Sequence, residues 1–113
     1  MNLTTETANG VVVIRIGESR LMYPLLSEFS TVVTQLIAAG ERRVVVDLSS
    51  VGYVDSATIG CLMYLYRQAT AAGGALKLAG VQKRVETMLT MTGAQNFIEV
   101  HPDEPSAVKS FGA

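Results

Sequence analysis

The feature that most constrains the fold is a run of three valines, Val44 to Val46, followed by Asp47 and Leu48. A run of this kind, without strict alternation of apolar and polar residues, predicts a strand buried on both faces, as in parallel sheets. A short polar loop follows it, and a helix is predicted to open at Asp55 and Ser56, since Asp and Ser are favoured helix caps. The segment therefore predicts a strand, a loop and a helix in that order.

The rest of the chain continues this alternation of strands and helices. Asn9-Gly10 predicts a tight hairpin turn between a strand over residues 11–16 and an antiparallel edge strand over about residues 3–7. Apolar residues at helical spacing between Met22 and Ile37 predict a helix that ends at Gly40. The further predicted elements are a helix after Ser56 with a core stripe of Ile59, Leu62, Met63 and Tyr66, a strand at 76–78, a helix stopped at Gly93, a strand at 97–100 and a helix opening near 102–104. The expected fold is one α/β domain over residues 1–113, with a small, mostly parallel mixed sheet, an antiparallel N-terminal hairpin strand and about four helices.

Composition narrows the classes of function. Hydrophobic residues make up 49% of the chain, enough for one core, and charged residues only 17%, which predicts that a partner covers part of the surface. The net charge of −1 argues against binding nucleic acid or an acidic membrane through bulk charge. We expect a cytoplasmic protein, because no apolar run approaches a membrane span, no leader opens the chain and the single cysteine, Cys61, cannot form an internal disulfide. We also expect the free domain to be a monomer, because this suits its size and the sequence shows no coiled-coil pattern and no long exposed apolar pattern.

No pattern of catalytic or metal-binding residues stands out. The chain has no glycine-rich phosphate loop, no metal-ligand spacing and no nucleophile–base set, so we predict no catalytic residue, no metal, no cofactor and no enzyme activity. Cys61 is interpreted as a small packing residue. His101 is expected in a loop before Pro102 and is assigned no role.

The predicted helix opening at Asp55 and Ser56 has two compatible interpretations. Asp55 caps the helix, and the Ser56 hydroxyl lies where the helix dipole and free N–H groups tolerate a phosphate. Thr58 is expected to face solvent in the first turn, with a second phosphate acceptor as the alternative. Gly60 costs about 1 kcal/mol against alanine inside a helix, which predicts that a neighbouring backbone or a partner approaches closely there.

The stretch Asp55-Ser56-Ala57-Thr58-Ile59-Gly60 resembles the Asp-Ser-Ser-Gly-Leu-Gly signature of the STAS domain family, and most of all its bacterial anti-sigma factor antagonists. Asp55, Ser56 and Gly60 match this signature. The segments 73–81, 89–93 and 97–100 also resemble the family, so the resemblance spans nearly the whole chain. There are two departures: Ala57-Thr58 replaces Ser-Gly, and Arg20 stands where the family has an aspartate.

The resemblance implies partner switching. The unmodified domain would bind a serine-kinase anti-sigma factor of the histidine-kinase-like ATPase fold, phosphorylation at Ser56 would release it, and a PP2C-type phosphatase would reset it. Partner-binding residues would be Arg20 and the stretch from Asp55 to Gly60. Two alternatives stay open: a structural STAS subunit of a lipid-transport ATPase complex or a stressosome-like scaffold, in which Ser56 mainly caps the helix, and, more weakly, a nucleotide- or small-ligand-binding domain.

Overall fold

A computed structural model describes residues 1–112, which form alternating strands and helices. The strands are β1 (Leu3–Ala8), β2 (Val11–Ile16), β3 (Arg20–Leu21), β4 (Arg43–Asp47), β5 (Tyr53–Val54), β6 (Ala75–Ala79) and β7 (Val100–His101). The helices are α1 (Tyr23–Ala38), α2 (Ser56–Ala71), α3 (Lys83–Thr92) and α4 (Glu104–Lys109), with a 3₁₀ turn over Ala94–Asn96. No helix within residues 1–112 is long and apolar enough to cross a membrane.

The main sheet has five strands in the order β1-β2-β4-β6-β7. Strand β1 is antiparallel to β2, and every other neighbouring pair is parallel. Asn9 and Gly10, which connect β1 to β2, have φ angles of 54° and 76°. These values fit a hairpin turn that needs positive φ at both central residues. The predicted mixed sheet and its antiparallel hairpin strand are thus confirmed.

Strand β4 lies in the middle of the sheet and is buried on both faces, as the valine run predicts. Val44 and Val46 belong to the larger core, which α1, α2 and α3 cover, whereas Val45 faces a smaller core beneath α4. The smaller core consists of Val11, Val13, Val45, Ala79, Ala107 and Val108. Three helices therefore cover one face of the sheet, and the single short helix α4 covers the other.

Helix α2 buries a stripe that is rotated around the helix relative to the predicted one. Leu65 and Ala69 are buried in addition to Ile59 and Leu62, whereas the predicted core residues Met63 and Tyr66 are only partly buried. The contacts of α2 with both α1 and β6 of the sheet decide which of its positions are buried.

Three details of the predicted local structure are wrong. The strand predicted over 97–100 covers only Val100 and His101, because the chain makes a 3₁₀ turn after Gly93 before it pairs with β6. His101 therefore lies in a strand rather than in a loop, with Nε2 3.1 Å from the Glu99 carboxylate. The loop predicted before Asp55 includes β5, which pairs in parallel with β3.

Candidate functional site

The loop between β4 and α2 is fixed at several points, so the start of α2 has a defined position. Leu48 and Val51 are fully buried beneath the loop. The Ser49 amide donates to the Asp47 carboxylate at 2.8 Å, and the Gln82 side chain donates to the Ser49 carbonyl at 2.8 Å. These contacts therefore fix the path of the loop up to Asp55.

One carboxylate caps two helices. Asp55 is the N-cap of α2, and its Oδ1 accepts from the Thr58 amide at 2.9 Å. Its Oδ2 accepts from the amide of Tyr23, the first residue of α1, at 3.0 Å. The N-cap position of α1 is Met22, which offers no side-chain cap of its own, so Asp55 satisfies an amide there from outside the helix. Asp55 thus joins the N-terminal ends of α1 and α2.

These contacts set the charge of Asp55. Partial burial acts to raise the pKa of its carboxyl, but hydrogen bonds from the Thr58 side chain and from the Tyr23 and Thr58 amides outweigh it. The pKa of Asp55 is therefore lower than usual, and the group is an anion at neutral pH.

Thr58 is fully buried, which contradicts its predicted exposure to solvent. Its hydroxyl lies 2.6 Å from the Leu21 carbonyl and 2.7 Å from Asp55 Oδ1, so one proton is shared between two acceptors. Thr58 faces inward because it satisfies polar groups of β3 and of the cap, a role that the helical spacing of apolar residues does not reveal.

Ser56 has the opposite environment. It is the first residue of α2, it is exposed, and its hydroxyl makes no hydrogen bond with any residue from 1 to 112. Ala57 is exposed next to it, whereas Ile59 is buried in the core. Gly60 is exposed, and a Cβ atom built there would meet no atom within 4 Å. A neighbouring backbone therefore does not explain Gly60.

Arg20 lies at the same end of the domain. It pairs in register with Tyr53 across the small β3–β5 sheet, and its guanidinium carbon is 5.6 Å from the Tyr53 ring centre. Since Tyr53 is two residues before Asp55, this pairing holds a cation on the surface near the start of α2. The strand partner of Arg20 thus lies two residues before the N-cap of α2, and the role of Arg20 in binding a partner stays a prediction.

A cleft beside Ser56 is a feature that the sequence analysis missed. It measures about 480 Å³ and is lined by Tyr23, Pro24, Leu26, Ser27, Ser30, Ala57 and Cys61. Tyr23, one of the residues that line the cleft, is 74% exposed. Burial raises the pKa of the Cys61 thiol at the cleft, which fits its interpretation as a packing residue. The signal that could have found the cleft is an aromatic residue at a predicted helix start.

The two helices around this cleft are almost uncharged. Glu28 is the one charged residue in the sixteen residues of α1, and Arg67 is the one in the sixteen of α2. Charged residues are depleted at the centres of protein–protein interfaces, and aromatic residues are enriched there. No group of three or more potential metal ligands occurs within residues 1–112. The seven residues that line the cleft are all uncharged.

A STAS domain profile matches residues 2–107, which is most of the chain. The chain belongs to the STAS domain family. The STAS fold described above is shared by solved structures at low sequence identity. An anti-sigma-factor antagonist (STAS) domain protein from Planctomyces limnophilus superposes with a TM-score of 0.89, at 16% identity over 98% of each chain.

Two other solved structures show how widely the fold is used. The Bacillus cell fate determinant SpoIIAA in its phosphorylated form has a TM-score of 0.75, at 16% identity over 97% of this chain and 99% of that one. The murine Slc26a9 anion transporter, solved in the inward-facing state, has a TM-score of 0.75, at 19% identity over 91% of this chain and 18% of that one. At these identities the likeness establishes the fold and leaves the role of this STAS domain to its own residues.

Proposed function

We propose that this STAS domain is an anti-sigma factor antagonist that works by partner switching in the cytoplasm. In this proposal the unphosphorylated domain binds a serine-kinase anti-sigma factor of the histidine-kinase-like ATPase fold. The kinase phosphorylates Ser56, the complex separates, and a PP2C-type phosphatase restores the binding form. The domain itself is a binding module and not an enzyme. Family membership supports this role, as does the likeness to an anti-sigma-factor antagonist and to a protein solved in a phosphorylated form.

The observation that carries the proposal is the division of tasks among three neighbouring residues. Asp55 caps both helices, and Thr58 holds the cap from inside. Ser56 lies between them, exposed, with a hydroxyl that no residue in the described part of the chain engages. A phosphate can therefore be added at Ser56 without removing any hydrogen bond that holds the fold.

The expected energies favour a switch of binding rather than of folding. At a helix N-terminus a phosphate is stabilised by about 0.3–1 kcal/mol. In a complex, a like charge about 5 Å away at an effective dielectric near 20 adds roughly 3 kcal/mol of repulsion. That repulsion corresponds to about a hundredfold loss of affinity. Phosphorylation should therefore dissociate the complex while the fold of the domain stays intact.

The partner surface in this proposal extends from Ser56 along the exposed parts of α2 and to Arg20. Ser56, Ala57 and Gly60 would touch the partner directly, whereas the buried Thr58 and Ile59 would support that surface from beneath. Gly60, with open space at its Cβ position, would let a partner approach the helix backbone. Arg20 replaces a family aspartate, so we expect the cognate kinase to carry an acidic group opposite it.

Affinity capture from lysate of the native cells tests the proposal. The baits are the native domain, Ser56→Asp, Ser56→Ala and a control, Gln35→Glu, which adds one negative charge on the exposed side of α1. We expect the native domain, Ser56→Ala and Gln35→Glu to retain an ATPase-fold kinase and Ser56→Asp to lose it. All four baits should melt at similar temperatures. Equal capture of the same transporter or scaffold subunits by all four would instead indicate a structural STAS subunit without a switch.

A further inference from the structure

The outer edge of β1 is the long unpaired edge of the five-stranded sheet. Strand β1 has six residues and pairs only with β2, whereas the strand at the opposite edge, β7, has two. Natural proteins protect such edges with lysine, proline or a bulge, or by keeping them short. The β1 sequence, LTTETA, contains no lysine or proline, and its register with β2 runs without a bulge. The edge therefore lacks these protections against pairing.

The hairpin geometry shows which backbone groups point outward. A two-residue turn closes Ala8 and Val11 as a hydrogen-bonded pair, and the Gly17 amide donates to the Asn2 carbonyl at 2.8 Å. The even-numbered residues of β1 thus bond inward to β2. The amides and carbonyls of Leu3, Thr5 and Thr7 point away from the sheet, and no residue within 1–112 bonds to them.

We propose that β1 pairs antiparallel with β1 of a second copy, with the two-fold axis at Thr5, to form a weak homodimer with a continuous ten-stranded sheet. In this register Thr5 faces the Thr5 of the other copy, and Leu3 faces its Thr7. The outward groups then form six backbone hydrogen bonds, two for each facing pair of Leu3, Thr5 and Thr7. Registers centred on Leu3 or Thr7 overlap fewer residues and make fewer bonds.

Charge is compatible with the same register. Glu6, the one charged residue of β1, faces Thr4 of the other copy and not a second Glu6. Each Glu6 also remains paired with Arg15 of its own chain, whose Nη1 lies 2.7 Å from Glu6 Oε1. Threonine pairs across antiparallel strands are favourable. The pairing thus brings together uncharged side chains at the axis and separates the two carboxylates.

The dimer is expected to be weak, because one strand pair buries less surface than the roughly 1,200 Å² of a stable interface. It adds concentration-dependent association to the monomer expected from the sequence. It does not depend on the proposed function, since β1 and Ser56 belong to different parts of the domain.

Sedimentation equilibrium of the native chain from about 10 μM to 1 mM, together with three variants, tests the proposal. Thr5→Pro removes only an outward amide from β1, so the hairpin keeps its own bonds while the dimer loses two, an expected weakening of about thirtyfold. Thr5→Lys sets two like charges at the axis and should also weaken the dimer. Thr4→Lys sets a lysine opposite Glu6 of the other copy, twice per dimer. The same lysine also lies opposite Arg15 of its own chain, but this like-charge pair is present in monomer and dimer alike, so the variant should tighten the dimer several-fold.

Thermal unfolding of each variant shows that the fold is kept, and Thr5→Lys replaces Thr5→Pro if the latter does not fold. A native chain that stays monomeric up to about 1 mM overturns the proposal. The partner of β1 would then be an extended segment of another protein. The proposal is also overturned if Thr5→Pro or Thr5→Lys folds and dimerises with unchanged affinity, or if both lysine variants change the dimer affinity in the same direction.

Discussion

Thr58→Val tests whether the buried hydroxyl of Thr58 holds the start of α2. Valine has nearly the shape of threonine and the same branching at Cβ, so the change removes the hydroxyl and little else. In the native structure this hydroxyl lies 2.6 Å from the Leu21 carbonyl and 2.7 Å from the Asp55 carboxylate. A hydrogen bond to a charged group contributes about 1.5–3 kcal/mol, so we expect Thr58→Val to lower the free energy of unfolding by about 2 kcal/mol.

Thr58→Ser is the matched control, since it keeps the hydroxyl and loses one methyl group, at a cost of about 0.8 kcal/mol. Urea unfolding followed by circular dichroism measures both variants, and we expect the valine midpoint to fall by about 1–2 M. Because valine is the larger and more apolar residue, burial alone would make it the more stable of the two. A valine variant as stable as the serine variant, or more so, would refute the hydrogen-bond account of this site.

Three further predictions follow from the same contacts. The pKa of Asp55 is lowered in the folded state, so the stability that its charged form contributes is present above its unfolded pKa of about 3.9 and is lost as pH falls through the folded value. Urea unfolding should therefore show that Asp55→Asn is less stable than the native chain at pH 7, and the difference should shrink below about pH 4. Gly60→Ala should raise the free energy of unfolding by about 0.5–1 kcal/mol, since nothing lies within 4 Å of the added methyl, and should weaken capture of the kinase, so unchanged capture would remove Gly60 from the interface. Lys77→Met should lower the free energy of unfolding by about 1 kcal/mol, because Lys77 Nζ lies 2.9 Å from Ser110 Oγ and 4.2 Å from the Phe111 ring centre, just after α4. Hydrogen-exchange protection should fall more in α4 than in β2, and an equal loss in both elements would contradict a role of Lys77 in holding α4.

The layered fold could be predicted from the sequence because its signals are local. The valine run, the Asn9-Gly10 turn and the apolar spacing of the helices each correspond to the element that the structure contains. The predictions are wrong where tertiary contacts, rather than local sequence, determine the secondary structure. Two-residue strands such as β5 and β7 are too short to show a period, and the 3₁₀ turn after Gly93 depends on where the chain must reach β6.

The candidate site divides in the same way. The cap at Asp55 and the start of α2 were predictable because capping residues have a strong local preference. The buried position of Thr58 was not, since its acceptor at Leu21 is 37 residues away in the chain. The same holds for the second helix that Asp55 caps, because the Tyr23 amide is 32 residues away. Contacts at this separation leave no pattern within a sequence window.

The most direct test of the central claim is a comparison of the domain carrying phosphoserine at position 56 with the unmodified domain. Calorimetric titration against the kinase that the native domain captures gives the affinity of each form, and thermal unfolding gives the stability of each. We predict melting temperatures within a few degrees of each other and an affinity at least about a hundredfold lower for the phosphorylated form. Equal affinities for the two forms, or a phosphorylated domain that no longer folds, would contradict a switch that acts on the interface alone.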